Sequence, residues 1–252
     1  MKKLLIVILL FNLNSAFSYS KNSLKNDFTS DGSLQSELHW SLCESSSKEI
    51  LRKLDLEITN KEERSSIFYD FKNPNGSYEF YSQGIILRLR SSASDESTST
   101  VKVKVSGVNA FIKEDTSSND EKYKCEEDRY RDKINYFCSL SQSFHPQKEA
   151  RFSKHQKTFL NKSYAGSLEI EGLTPFGPVS NTVWTFHRSK GFVLEEVTLP
   201  HSTSFYELSV RVSLSEAEER YKEYSDLLLE KELNICPVQE SKTLKILNFF
   251  QK

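Results

Sequence analysis

The fold of this 252-residue chain is decided by two segments, Gly84-Ile85-Ile86-Leu87-Arg88-Leu89-Arg90 and Val101-Lys102-Val103-Lys104-Val105. Each segment alternates apolar and cationic residues with a period of two, which is the pattern of a β-strand with one apolar face and one charged face. Neighbouring side chains on one face of a strand stand about 7 Å apart. Each strand therefore presents two like charges that repel unless carboxylates or a bound anion compensate them.

The rest of the chain predicts more strands and only a few helices. Period-two alternation predicts strands at 54–58, where Asp55 and Glu57 share a face, and at 168–171. Two runs at 192–199 and 205–212 predict a hairpin. Helices are predicted at 45–53, after a capping box formed by Ser215 and Glu218, and at 241–250. This pattern indicates an α+β fold with a large antiparallel sheet or barrel and peripheral helices.

The alternation does not say which face of the sheet lies inside. An apolar interior with charges outside would suit a lipocalin-like secreted carrier. A charged interior would be a polar lumen, in which guanidinium and ammonium groups bind phosphates and carboxylates bind a hard divalent cation.

Composition excludes several functional classes. Lys and Arg number 34 against 35 Asp and Glu, so the chain lacks the basic excess of a duplex-DNA-binding protein. We find neither GxGxxG nor GxxxxGK[ST], which removes the main support for a Rossmann or P-loop nucleotide site. A hydrophobic content of 37% is sufficient for a folded core.

The N-terminus has the features of an export signal. Lys2 and Lys3 precede an apolar run at 4–11, and small residues follow at Ser15, Ala16 and Ser18. We predict a signal peptide at 1–18, a polar flexible leader at 19–40 and one domain at 41–252. Because no later apolar stretch is long enough for a membrane span, the mature protein is predicted to be secreted or periplasmic.

Four cysteines lie in the predicted mature chain. An even number in an exported protein is compatible with two disulfides in any of three pairings. Pairing Cys125 with Cys138 would staple a hairpin-like excursion, and Cys43 with Cys236 would then tie the two ends of the domain together.

The order of several motifs resembles that of the triphosphate tunnel metalloenzymes, the CYTH superfamily. Tyr69-Asp70 is followed by the strand ending in Leu87-Arg88-Leu89-Arg90 and then by the lysine strand at 101–105, as in that family's aromatic-Asp, LRxR and KxK elements. The family's first strand carries E-x-E-x-K, which we match to residues 55–59. Segments 123–129, 151–157 and 207–211 resemble its later acidic, basic and E-L-E strands. Thr59 and Ser209 depart from the pattern.

This resemblance implies an eight-stranded antiparallel tunnel that binds a triphosphate and holds Mg²⁺ or Mn²⁺. The expected partners are a triphosphate, polyphosphate or other phosphorylated small molecule, and the expected reaction is hydrolysis of a phosphoric anhydride. A non-catalytic polyanion-binding protein of the same fold is the alternative. The phosphate-binding candidates are Arg88, Arg90, Lys102, Lys104, Arg151, Lys157 and Arg211. The metal-binding candidates are Glu57, Glu126, Glu196 and Glu207, with Asp55 as an outer helper.

The sequence leaves the orientation of one acidic pair open. Glu195 and Glu196 point to opposite faces of their predicted strand, so either carboxylate could point inward. The five histidines are predicted to be on the surface or lightly packed, and Lys242 is predicted to lie at a solvated helix end, although it could reach a tunnel mouth.

Overall fold

The computed structural model describes residues 34–73, 75–92, 97–112, 121–143, 151–163, 172–187 and 191–251. The predicted signal peptide and the predicted strand at 168–171 lie outside these residues. Within them, nine strands form a closed barrel in the order β1-β5-β6-β4-β3-β2-β7-β8-β9. The strands are β1 (Gln35–Leu42), β2 (Ile58–Asp70), β3 (Ile85–Ser92), β4 (Thr98–Val105), β5 (Glu121–Tyr130), β6 (Lys133–Ser143), β7 (Thr174–Phe186), β8 (Val193–Leu199) and β9 (Thr203–Ser213).

The barrel confirms the predicted α+β tunnel architecture, with nine strands where eight were expected. β1 pairs antiparallel with β9 and parallel with β5, and the other neighbours in the barrel pair antiparallel. Residues 35–40, which polar composition assigned to the leader, form most of β1. The barrel therefore begins at Gln35. The apolar and polar residues of β1 alternate, as they do in the other barrel strands.

Five α-helices lie among the described residues, and three of them confirm the predictions. The helices are α1 (Ser47–Leu54), α2 (Glu79–Ser82), α3 (Lys154–Ser163), α4 (Ala217–Glu230) and α5 (Lys242–Gln251). α1, α4 and α5 occupy the predicted positions. The capping box predicted at Ser215 does not form, since α4 is preceded by a 3₁₀ turn and its N-cap Glu216 makes no side-chain capping bond.

Two strand predictions are wrong. Residues 54–58 span the end of α1, where Asp55 adopts a left-handed conformation (φ 52°) and its N–H bonds to Leu51 O. The basic segment at 151–157 leads into α3 instead of forming a strand. Its helix start is stabilised by Ser153 and Gln156, whose side chains each accept the other's backbone N–H at 3.1 and 3.0 Å.

The apolar faces of the strands point outward and are covered by helices. Trp40 of β1 stacks on Tyr221 of α4 with 4.8 Å between ring centroids. Leu87 and Val101 pack in one cluster with Phe159 of α3, and strand β7 packs similarly against α5. The charged faces of β3 and β4 consequently point into the barrel, which contradicts the lipocalin-like alternative with an apolar lumen.

Two disulfides are present. Cys125 and Cys138 are cross-strand partners on β5 and β6, and Cys43 joins Cys236 across a sequence separation of 193 residues. No helix among the described residues is long and apolar enough to cross a membrane.

Candidate functional site

The barrel encloses a charged cavity of about 850 Å³. Nine Lys or Arg residues and five Asp or Glu residues line it among the described residues, so its lining carries an excess of positive charge. A closed barrel wall lowers the local dielectric and strengthens the attraction of such a lining for anions. The lining cations are Arg64, Arg88, Arg90, Lys102, Lys104, Lys122, Lys124, Arg211 and Lys242, and the acids are Glu37, Glu126, Asp128, Glu195 and Glu207.

Arg88 and Arg90 of β3 form an undercompensated cation pair inside the barrel. The Nε atom of each guanidinium is buried and has no hydrogen-bond partner among the described residues. Burial, and next the charge of Arg90, lower the pKa of the Arg88 guanidinium to about 9. Burial likewise lowers the pKa of Arg90. A charged group that is desolvated without full compensation is poised to bind an anion.

The lysine strand β4 and the acidic strand β5 are separated in the barrel by β6 alone, and their side chains meet over it inside the lumen. Lys102 donates to Asp128 Oδ2 at 2.6 Å and lies 3.6 Å from Glu126 Oε1. Lys124 donates to Glu126 Oε2 at 2.8 Å. Arg211 of β9 is nearer the solvent, with Nη2 3.7 Å from Glu37 Oε2. This wall thus alternates cations and carboxylates, and both kinds of group reach the cavity.

Lys104 lies at the cavity rim and depends on a glycine opposite it. Gly84 has a positive φ of 77°, and a Cβ built at this position would lie 2.5 Å from Lys104 Cβ. Only glycine combines this backbone conformation with so close an approach. The glycine at the start of the LRxR segment therefore permits β3 and β4 to enter the barrel side by side.

A third group of charges joins β8, β9 and the C-terminal helix. The ammonium of Lys242 donates to Glu195 Oε2 and lies 3.1 Å from Glu207 Oε1. Burial alone would raise the pKa of Glu207, but Lys242 and His39 hold it well below its usual range. Asn181 donates to the other oxygen of Glu195 at 2.6 Å. Both carboxylates are therefore ionised and held in place.

His39 is buried in the lumen instead of lying at the surface. Its ring stacks on Tyr130 with 4.4 Å between centroids, and Tyr130 donates to Glu207 Oε2 at 3.1 Å. Glu37, His39 and Asp128 each place a metal-ligand atom within 4.8 Å of the others. This set of carboxylates and an imidazole suits a divalent cation by its donor chemistry.

Several predicted site residues do line the cavity. They are Arg88, Arg90, Lys102, Lys104, Arg211, Glu126 and Glu207. Four others are placed elsewhere. Glu57 is exposed before β2, and Glu196 points away from the lumen while Glu195 points into it. Arg151 lies over the Tyr69 ring, 5.0 Å from its centroid, and Lys157 is in α3.

The first strand was assigned to the wrong segment. The structure begins the barrel with β1, in which Glu37, His39 and Ser41 occupy alternating positions, and Glu37 and His39 line the cavity. Residues 55–59, which the resemblance matched to the family's first strand, instead follow α1 and do not line the cavity. Asp55 and Thr59 are exposed.

The Tyr69-Asp70 element has a structural role next to the site. Asp70 at the end of β2 accepts the backbone N–H groups of Phe80 and Tyr81 at 2.8 and 2.9 Å. It thereby fixes α2, and Tyr81 and Ser82 of that helix line the cavity. The aspartate positions one rim of the lumen without lining it.

Sequence reasoning missed Glu37, His39, Asp128, Lys124 and Lys242 as members of one site. Asp128 and Lys124 were visible within the acidic segment at 123–129. The strand carrying Glu37 and His39 has its own signal, since Leu38, Trp40 and Leu42 alternate with polar residues. Lys242 enters from a helix whose docking position no local pattern encodes.

This chain resembles known proteins in its fold. No family model matches the sequence, and no curated protein matches it. Among solved structures, HpAC1 from Hippeastrum, in which a triphosphatase activity is dominant, is 12% identical with a TM-score of 0.56, and the match covers 86% of this chain and 96% of that one. A "putative adenylate cyclase" from Bacillus halodurans is 13% identical with a TM-score of 0.52, covering 84% and 97%. At such identities the likeness concerns the fold alone, and it agrees with the tunnel fold that the resemblance to the triphosphate tunnel metalloenzymes predicts.

Proposed function

We propose that this protein is a metal-dependent phosphohydrolase that binds a triphosphate or polyphosphate in its tunnel and hydrolyses a phosphoric anhydride bond. The observation that carries the proposal is the half-buried pair Arg88 and Arg90, whose buried Nε atoms lack partners among the described residues. The fold shared with a triphosphatase from Hippeastrum supports it.

The cations in the tunnel would bind the polyanion in two different ways. Guanidinium groups bind phosphate oxygens in a bidentate fork, so Arg88 and Arg90 would set the register of the chain. Lys102, Lys104 and Arg211 would add point charge along the lumen and at its rim. Because these groups are fixed by the barrel before the anion enters, they need little reorganisation when charge develops on the transferring phosphoryl group.

Carboxylates that line the tunnel would hold Mg²⁺ or Mn²⁺. Carboxylates of Glu37, Glu126, Asp128 and Glu207 lie on adjacent strands, and Asp128 Oδ1 is buried without a hydrogen-bond partner among the described residues. When bound, such an ion neutralises charge on the phosphate and orients the attacking water. Lys102, which contacts Asp128, would keep a phosphate oxygen next to these carboxylates.

The predicted compartment limits the phosphate compounds that the protein would meet as substrates. The predicted signal peptide at 1–18 and the two disulfides are typical of an exported protein, secreted or periplasmic. Such compartments lack abundant ATP, so inorganic triphosphate, polyphosphate or a scavenged phosphate ester is the expected substrate.

The direct test measures orthophosphate release from tripolyphosphate with Mg²⁺ or Mn²⁺. We expect Arg90→Met and Glu207→Gln to lower kcat/KM, and the loss of one buried charged contact corresponds to about 2–4 kcal/mol, or roughly 30- to 1000-fold. Arg52→Met, at an exposed arginine of α1, is the matched control and should keep full activity. Absence of turnover with every metal would refute the enzymatic proposal.

A second candidate function is polyanion binding without turnover. It is favoured by Lys242, whose ammonium is held between Glu195 and Glu207 and so supplies a positive charge that a metal would otherwise provide. This candidate predicts tight tripolyphosphate binding that depends on Arg88 and Arg90, with no orthophosphate released.

A further inference from the structure

Four adjacent strands present a stretch of lumen wall that carries cations and hydroxyls but no carboxylate. The strands lie in the order β5-β6-β4-β3, so their inward residues stand side by side. The described carboxylates that line the cavity lie elsewhere on its wall. We call this stretch the carboxylate-free panel, and its residues are Ile86, Arg88 and Arg90 of β3, Thr100 and Lys102 of β4, Ser139 and Ser141 of β6, and Lys122 and Lys124 of β5.

One row of the panel has a cation at each end and two hydroxyls between them. Arg88 is the register partner of Thr100, and Ser141 lies between Thr100 and Lys122. The hydroxyls of Thr100 and Ser141 are hydrogen-bonded at 2.9 Å. Neither Arg88 nor Lys122 has an ion-pair partner among the described residues. This row can therefore accept an anion without first releasing a carboxylate.

A second row joins the panel to the carboxylates of the lumen. In the register, Ser139 lies between Lys102 and Lys124. Lys102 donates to Asp128, and Lys124 donates to Glu126. These two lysines are already compensated, so the uncompensated cations lie on either side of this row.

The cations continue along the strands at four successive levels, from Arg90 to Lys104, which we call the cation track. Arg90 is the register partner of Thr98 on β4. The stretch of β4 from Thr98 to Lys104 measures about 20 Å at about 3.4 Å per residue. With the usual strand tilt in a barrel of about 35–45°, this is about 15 Å along the barrel axis. A tripolyphosphate has only two bridging oxygens, so it is shorter than the track and would leave some cations without a phosphate.

The surroundings of the cation track favour an extended polyphosphate as its ligand. Lys122 is exposed, as is Lys104 at the rim, so the track is open to solvent towards both ends. Like charges about 7 Å apart repel, and a polyanion laid along them relieves this repulsion. No residue of the panel is aromatic, so the panel lacks the stacking surfaces with which proteins bind single-stranded nucleic acids. Its short hydroxyl side chains instead suit hydrogen bonds to phosphate oxygens.

We propose that the tunnel binds a linear polyphosphate longer than three phosphoryl units, and that Lys122 and Ser141 contact the units beyond the third. Three units next to Lys102 would lie beside the carboxylates, and the rest of the chain would follow the carboxylate-free panel. The inference rests on the proposed function in placing a polyphosphate in the lumen. It adds the chain length and the residues that select it.

The test measures one-site binding by isothermal titration calorimetry at fixed ionic strength, with EDTA present and no added metal. The probes are tripolyphosphate and linear hexaphosphate. A linear hexaphosphate contains four overlapping triphosphate segments, which alone would tighten binding about fourfold. We expect it to bind at least about tenfold more tightly than tripolyphosphate. Cyclic hexametaphosphate, which cannot extend along the track, and hexauridylate should not show this gain.

Two variants assign the gain to the panel. Lys122→Met/Ser141→Ala should weaken hexaphosphate binding more than tripolyphosphate binding, so that the ratio of the two affinities falls to about the statistical fourfold. Lys222→Met, at an exposed lysine of α4 outside the cavity, is the matched control and should keep the wild-type ratio. Thermal unfolding establishes that both variants are folded.

The outcomes separate this inference from the proposed function. Selective binding of linear hexaphosphate without orthophosphate release would support the chain length and refute the enzyme. Orthophosphate release from tripolyphosphate, with the two affinities within about fourfold of each other, would support the enzyme and overturn the inference. An equal gain for the cyclic compound, tighter binding of hexauridylate, or a gain that persists in Lys122→Met/Ser141→Ala would also overturn it. Absence of binding to every probe would overturn both.

Discussion

The ammonium of Lys242, the first residue of α5, lies 3.1 Å from Glu207 Oε1 on the inner face of β9. Its second partner is Glu195, which the register of β8 and β9 places directly opposite Glu207. Two ionised carboxylates on adjacent strands would repel, and the lysine compensates both. The C-terminal helix thus contributes an internal cation to the charged lumen as well as an apolar surface to the outer core.

Lys242→Met is expected to destabilise the barrel. Removing one partner of a buried ion pair leaves the carboxylates of Glu195 and Glu207 uncompensated, at a cost of about 3–5 kcal/mol. Chemical unfolding measures this loss. Lys222→Met, at an exposed position of α4, is the matched control and should change stability by less than about 0.5 kcal/mol. Equal stability of the two variants would contradict the role assigned to Lys242.

Arg88→Met is expected to have the opposite effect on stability. Arg88 is half-buried and its buried Nε has no partner among the described residues, so an apolar side chain of similar length should raise the free energy of unfolding by about 1 kcal/mol. The same variant should lose tripolyphosphate binding. This pairing of higher stability with lost binding is typical of a functional site. Unfolding in phosphate-free buffer provides the measurement, and a lower stability would show that Arg88 is a structural group.

Two of the strands that line the lumen could be predicted from the sequence, but the complete set of lining residues could not. Strands β3 and β4 follow from their period-two alternation, and the order of motifs correctly indicated that Arg88 and Lys102 face inward. Alternation alone does not show which face of a strand points inward. The sequence therefore could not tell whether Glu195 or Glu196 lines the lumen, whereas the pairing of β8 with β9 places Glu195 opposite Glu207.

The errors have a common physical origin in tertiary context. Residues 55–59 alternate like a strand, but α1 continues through Leu54 and leaves Asp55 and Glu57 exposed. The segment at 151–157 is basic, yet reciprocal capping by Ser153 and Gln156 starts a helix there. His39 was missed because β1 lies in a stretch whose polar composition suggested a leader.

The two disulfides are expected to differ in their contribution to stability. Cys43 and Cys236 are separated by 193 residues, and Cys125 and Cys138 by 13. In the chain-entropy description, the longer loop gives the larger restriction of the unfolded chain, by about 2 kcal/mol. Chemical unfolding of the double variants Cys43→Ser/Cys236→Ser and Cys125→Ser/Cys138→Ser compares them. A greater loss in the second variant would contradict this ranking.

Gly84→Ala is expected to disturb the rim of the tunnel. A methyl group at this position would collide with Lys104 Cβ and would force a positive φ on alanine, at a cost of about 1–3 kcal/mol. Gly107→Ala is the matched control, since no atom lies within 4 Å of its built Cβ. Thermal unfolding compares them, and a Gly84→Ala protein as stable as the control would refute the close approach of β3 and β4.

Binding of tripolyphosphate, measured by isothermal titration calorimetry, tests most directly whether the charged tunnel is a polyphosphate site. The wild-type protein and Arg52→Met should bind one tripolyphosphate with the same affinity, and the affinity should fall with added salt. Arg88→Met/Arg90→Met should lose binding while remaining folded. Undiminished binding by this double variant, or no binding by the wild type, would contradict the assignment of the lumen to polyphosphate.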